Sequence, residues 1–183
     1  MRIRTARLLL RPFEAGDVDD VWAFQRLPEV ARHMLREPRS RDEAAVSVRG
    51  MMAETEVAGD GGPLTFAVVL PETGTVIGEV SLVPRGMTHR GGEIGYVLHP
   101  GHQGRGLATE ATAALLALGF DRRHLHRIIG TCSARNAASA RLMERLGMRR
   151  EAHLLGSRRV KGEWRDELIY AILADEWRLR QSR

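Results

Sequence analysis

His99-Pro100-Gly101-His102-Gln103-Gly104-Arg105-Gly106-Leu107-Ala108-Thr109-Glu110-Ala111 is the stretch on which the fold turns. Pro100 forbids further ladder pairing and so closes a strand reading Glu93-Ile94-Gly95-Tyr96-Val97-Leu98. Beyond the glycines, Leu107, Ala111, Ala114, Leu115 and Leu118 recur at i, i+4, i+7, i+8 and i+11, one face of an amphipathic helix over 104–120. Gly104 and Gly106 let the backbone turn sharply between strand and helix, and the first-turn N–H groups have no partner inside the helix. The helix dipole adds roughly half a positive charge at that end. With the Arg105 guanidinium beside it, the turn is an anion site suited to a pyrophosphate better than to a single carboxylate. A P-loop would need Gly-Lys-Ser/Thr at the helix start, where Leu107-Ala108-Thr109 stands instead. A dinucleotide fingerprint would want glycine at 109 and a carboxylate closing the next strand, which reads Ile129-Gly130-Thr131-Cys132. Nucleoside triphosphatase and dinucleotide chemistry are both disfavoured.

Working outward, Arg7 to Phe13 reads as a first strand, Asp17 as the cap of a helix through Val18, Val21, Trp22 and Leu27, and Asp42 to about Val57 as a second helix. Trp22 and Tyr96 are expected to line core or pocket, with core favoured for Trp22. Gly59 to Pro63 is a breaker, after which Leu64–Leu70 and Thr75–Val83 form a hairpin across Pro71-Glu72-Thr73-Gly74. Arg85 to Gly92 reads as a loop. Downstream, Arg127–Cys132 is a short strand, Asn136–Leu146 a helix stopped by Gly147, and Met148–Arg158 and Glu167–Leu173 are strands. Hairpins followed by alternation with helices predict one α/β domain over 1–183: a mixed, mostly antiparallel twisted sheet of about six or seven strands flanked by about four helices, with a parallel step across the 104–120 helix.

The 183 residues are 43% hydrophobic and 28% charged, with no apolar run near the roughly 18 residues that span a bilayer. No secretory signal is visible in Met1 to Arg11, and the chain is placed in the cytoplasm with no membrane partner. Cys132 stands alone, which fits a reducing compartment and a buried core position and argues against a zinc site. The net charge of +5 is almost wholly arginine scattered along the chain, with Lys161 the only lysine. This favours anionic ligands over a nucleic-acid patch.

Several ordered segments resemble the Gcn5-related N-acetyltransferase superfamily: Gln103, Gly106 and Ala108 match its pyrophosphate loop, Gln/Arg-x-x-Gly-x-Gly/Ala. Arg7-Leu8-Leu9-Leu10-Arg11, Gly95-Tyr96-Val97-Leu98, Gly106 to Ala111, Asn136-Ala137-Ala138-Ser139, Asp166 to Tyr170 and Glu176-Trp177 are similar to the ribosomal-protein N-terminal acetyltransferase subgroup. The resemblance implies acetyl-coenzyme A as co-substrate, held by Gln103, Gly104, Arg105, Gly106, Leu107 and Ala108, with backbone N–H groups near Val97 and Leu98 receiving the thioester carbonyl and Asn136 touching the cofactor. It implies an acceptor amine, first the N-terminus of a ribosomal or other protein and as runner-up a small amine or antibiotic, and admits a homodimer. The alternative from another class is a module that senses acetyl-coenzyme A or binds RNA without catalysis.

Acetyl transfer to an amine needs a neutral amine, stabilisation of the oxyanion and a proton for the thiolate. Glu93, ten residues before Gln103, has a spacing that resembles where the histone-modifying members carry their general base, which implies that role for it; it reads equally as a solvated strand-start carboxylate or a partner for an arginine. Ser139 shares the core-facing stripe of its helix with Leu142, Met143 and Leu146, and its hydroxyl is either the proton donor to the thiolate or a bond back to the preceding turn. Many members carry a tyrosine acid where Met143 stands. Asn136 has a structural reading too, as the cap of that helix.

Overall fold

The computed structural model describes residues 1–54, 62–85 and 90–181. Its eight strands are β1 (Ile3–Arg4), β2 (Leu9–Arg11), β3 (Leu64–Val69), β4 (Val76–Arg85), β5 (Gly91–Leu98), β6 (Arg127–Ser133), β7 (Arg149–Val160) and β8 (Glu163–Leu173). The α-helices are α1 (Val18–Gln25), α2 (Pro28–Ala31), α3 (Arg41–Ala53), α4 (Leu107–Ala117), α5 (Ala137–Arg145) and α6 (Ala174–Gln181). One sheet runs in the order β1-β2-β3-β4-β5-β6-β8-β7, antiparallel throughout except for the β5–β6 pair, which the α4 crossover makes parallel.

The sheet has more elements than the sequence predicts. The added pieces are the two-residue β1, the single turn of α2 and the C-terminal α6, none of which carries a hydrophobic period long enough to read. β7 and β8 also run past their expected ends and meet at Lys161-Gly162, both at positive φ, the geometry of a tight hairpin turn. The 85–92 loop is shorter than read, because β4 reaches Arg85 and β5 starts at Gly91; 86–89 lie outside the described residues, as does most of the Gly59–Pro63 breaker.

The two sheet faces bury separate cores. On one, α4, α5 and α6 cover Phe66, Val80, Ile94, Leu98, Ile128 and Ile172; on the other, α1 and α3 cover Ala67, Val69 and Val76 through Val21, Phe24, Ala44 and Val48. β3, Leu-Thr-Phe-Ala-Val-Val, is buried on both faces, and its near-continuous apolar run is what such a strand requires. α4 buries Leu107, Ala111, Leu115 and Leu116. Its interior polar residue, Thr112, is silenced by donating to the Ala108 carbonyl at 2.7 Å.

At the other helices the caps differ from expectation. Ser40 caps α3 in a reciprocal capping box with Glu43, so the helix starts at Arg41. Asp17 makes no cap bond to α1: its carboxylate accepts from Glu14 N at 2.8 Å and forms a buried bidentate pair with Arg11, 2.7 Å on each arm. That pair fastens α1 to β2. Trp22 packs partly buried against the core, under Arg26 at 5.0 Å from its ring centre, while Val21 and Phe24 are fully buried in it. Asn136 does cap α5, accepting from Ser139 N at 3.1 Å, and Gly147 ends it at φ 85°.

Candidate active site

The site is where the sheet splits. β5 and β6 pair in parallel from Gly91↔Arg127 to Ile94↔Gly130 and then part, while β5 stays paired with β4 as far as Gly78↔Leu98. Gly78 allows this: a Cβ there would lie 2.3 Å from the Val97 carbonyl oxygen, so only glycine lets β5 lean onto β4 and away from β6. A cleft of about 1230 Å3 passes through the fork, lined by Tyr96, Val97, Leu98, Cys132 and Ser133 and, further out, by the start of α4 and by α3.

Leu98 N–H faces the fork. His99 N donates to Ile77 O at 2.8 Å, so by strand alternation Val97 N–H also turns to β4, whereas Leu98 presents its groups to the open side, its carbonyl accepting from Gln103 Nε2 at 3.0 Å. Gln103 therefore ties the loop to the strand end. Gly104 and Gly106 stand at φ 74° and 76°, a left-handed conformation that only glycine adopts at little cost. Gly106 is the N-cap residue of α4, and Leu107, Ala108 and Thr109 follow it with their N–H groups in the first turn.

Arg7 braces the same turn, donating to Arg105 O at 2.9 Å and to Glu110 Oε2 at 2.7 Å. Arg105 itself is exposed. Arg141 and Arg145 of α5 line the cleft opposite the loop, and Arg145 reaches Thr109 Oγ1 at 3.5 Å. These two cations escaped the sequence reading because nothing in their local spacing places them against the glycine turn. His102 lines the cleft with its buried Nδ1 unpartnered, and burial, then His99 and Arg105, lower its pKa, so the ring is neutral. Unpaired helix-start N–H groups, a buried imidazole nitrogen and facing arginines suit the pyrophosphate and pantetheine of coenzyme A.

Ser139 has a partner other than its own helix. Its Oγ is 2.6 Å from the Tyr96 hydroxyl, which also donates to Ser139 O at 3.2 Å. Burial pushes the Tyr96 pKa up to about 12, so the phenol remains a proton donor across the neutral range. Burial likewise raises the Cys132 thiol beside them. Met143, at the position of the tyrosine acid of many relatives, is fully buried. The phenol supplied to this corner comes from β5 instead of α5.

Glu93 sits before the fork, where β5 is still paired with Ile129 of β6. Its carboxylate accepts from Arg85 Nε at 2.7 Å and from Thr131 Oγ1 at 3.0 Å, so of its two readings the arginine partner describes its surroundings. A second carboxylate, Glu79 of β4, also lines the cleft and was not singled out in the sequence, where it is one polar residue in an alternating strand.

The family model described as Acetyltransferase (GNAT) domain matches residues 7–149. The chain belongs to the GNAT acetyltransferase family. It is 35% identical over 180 residues to the "Uncharacterized N-acetyltransferase YnaD" of Bacillus subtilis (strain 168), covering 97% of this chain and 99% of that protein. It is 29% identical over 185 residues to the "[Ribosomal protein uS5]-alanine N-acetyltransferase" of Escherichia coli (strain K12), covering 97% and 93%. The solved structure of a GNAT-family acetyltransferase from Bacillus anthracis superposes with a TM-score of 0.85 at 32% identity over 96% of this chain and 100% of that one. This GNAT enzyme is an acetyl-coenzyme A-dependent N-acetyltransferase.

Proposed function

We propose that the acceptor is the N-terminal α-amine of a protein chain. The observation that carries this reading is the charge balance beyond the fork: the acceptor end of the cleft presents Arg32, Arg36 and Arg39 against Glu29, Glu54 and Glu79, and the fourth carboxylate of the lining, Glu93, is already paired with Arg85. A polyamine or aminoglycoside carries several positive charges and gains nothing from a pocket without surplus negative charge. A chain terminus brings one amine followed by neutral peptide groups. The similarity to an alanine N-acetyltransferase of a ribosomal protein supports the same reading.

Acetyl-coenzyme A supplies the activated acyl group as a thioester. Gly104 to Ala108, with Arg141 and Arg145, hold its phosphates; Leu98 N–H faces the position of the thioester carbonyl oxygen, where charge develops. Asn136 acts by capping α5, which sets Ser139 in place. Ser139 delivers a proton to the departing sulfur, with the Tyr96 phenol behind it as the next donor.

The test is release of free thiol from acetyl-coenzyme A with alanine-initiated peptides, free lysine, spermidine and an aminoglycoside. Turnover at least tenfold faster on the peptides supports the reading, and turnover led by spermidine or the aminoglycoside overturns it.

A further inference from the structure

Glu79 and Glu93 lie on one face of the sheet and line one cleft, yet they stand differently toward the fork. Glu79 is the direct cross-strand neighbour of Val97, at the point where β5 has already left β6. Such neighbours have Cα atoms about 5 Å apart. Glu93 is four residues upstream of Val97, about 13 Å along an extended strand, beside a closed part of the sheet. Its two oxygens are already engaged by Arg85 and Thr131. The Glu79 carboxylate receives one long bond, from Gln25 Nε2 at 3.3 Å, and is partly exposed to the cleft.

We propose that Glu79 is the general base that takes the acceptor amine's proton. The inference uses the acetyl transfer of the GNAT family and holds whichever amine accepts. An ammonium entering from the α1–α3 side gives one proton to Glu79 and becomes neutral; its lone pair forms the N–C bond to the acetyl carbon as the C–S bond breaks. Glu79 passes that proton to water in the cleft, the second amine proton then leaves by the freed carboxylate or by water, and the sulfur takes a proton from Ser139 on the opposite face. Base and acid thus flank the fork from its two sides, because Glu79 belongs to the face of Val97 and Ser139 to the face of Tyr96.

The surroundings of Glu79 suit this work. Burial raises its pKa, and Arg36, Arg39 and the Gln25 amide only partly oppose that rise. The charged groups facing it are Arg36 and Arg39, from the segment between α2 and α3, and Glu54, at the end of α3. Gln25, held by Arg39 at 2.9 Å and lying 3.5 Å from Ser47 Oγ, orients the carboxylate without discharging it. A carboxylate with a raised pKa is a stronger base than a free one.

The experiment compares the wild type, Glu79→Gln and Glu93→Gln with a saturating alanine-initiated peptide, recording kcat against pH and coenzyme A affinity by calorimetry. In the wild type kcat rises with pH as Glu79 ionises. Glu79→Gln is expected to lower kcat at pH 7 by about 100- to 10,000-fold and remove that acid limb, with coenzyme A affinity within about twofold. Glu93→Gln is expected to keep the limb. Should the glutamine variant fail to hold coenzyme A, Glu79→Asp, which withdraws the carboxylate by one methylene, is read instead: a lowered kcat with the limb kept supports the assignment, and an unchanged kcat overturns it. The assignment is equally overturned by a Glu79→Gln enzyme within threefold of wild type with its limb intact, or by a limb that disappears in Glu93→Gln.

Discussion

The two ends of the cleft are built from different materials. The cofactor end is mostly backbone: the first-turn N–H groups of α4, Leu98 N–H and the two left-handed glycines, with arginines around them. The acceptor end is side chains from separate elements, Gln25 of α1, Arg36 and Arg39 between α2 and α3, Ser47 of α3 and Glu79 of β4. A backbone site is specified by a short run of residues and tolerates change around it. A side-chain site depends on how several elements are fastened together, and its specificity can move with any one of them.

That contrast can be broken most forcefully at the fastening of the acceptor end. Asp17→Ala leaves Arg11, whose side chain is only 11% exposed, without its partner, and removal of one member of such a pair costs about 3–5 kcal/mol. Denaturant unfolding should show this loss, with amine turnover falling further than coenzyme A affinity in the protein that remains folded. Equal losses at both ends would mean that the two are one cooperative unit.

At the cofactor end, Gly106→Val forces a β-branched residue to φ 76° at the α4 start, a strain of about 1–2 kcal/mol. Calorimetry should show coenzyme A bound about tenfold more weakly, while the ranking of acceptor amines stays as in the wild type. A changed ranking would show that the glycine turn also shapes the acceptor end.

Where the ends meet, Tyr96→Phe removes the phenol behind Ser139. A roughly three- to tenfold fall in kcat with unchanged KM is expected, for the loss of one hydrogen bond of about 1 kcal/mol. Because the phenol titrates at about 12, the wild-type profile should show no decline from it up to pH 10.

The smallest effect concerns the brace on the α4 start. Burial disfavours the charge on Glu110, but bonds from Thr5 and Arg7 outweigh it and hold its carboxyl below the usual range. A group whose pKa is depressed by folding stabilises above its unfolded value, about 4.3, and loses that contribution as the pH falls through the folded one. Glu110→Gln should therefore cost under about 1 kcal/mol at pH 7, given the half-exposed Arg7, and less at pH 3. Thermal unfolding at the two pH values checks the sign.

The same contrast explains what could be read in advance. Gly104 and Gly106 announce their own backbone angles, the α4 stripe announces its buried face, and Asn136 and Gly147 mark the ends of α5. Asp17 misled because a cap and a buried ion pair need the same residue type, and Arg11 decides between them only once β2 and α1 are packed. Trp22 packs against the core but is only partly buried, because a helical stripe fixes a face and not how deeply each member sinks. Arg141, Arg145 and the contact of Tyr96 with Ser139 were out of reach for a similar reason: each joins residues of different elements.

The sequence by itself determined that this is an α/β chain with a phosphate-binding turn between a strand and a helix, because backbone angles, caps and hydrophobic periods are short-range properties of neighbouring residues. Only the tertiary structure decided that β5 leaves β6 after Ile94, that Tyr96 meets Ser139 and that Glu79 faces the opening. Those are distances between residues far apart in the chain, fixed by strand register and packing, to which no local pattern is sensitive.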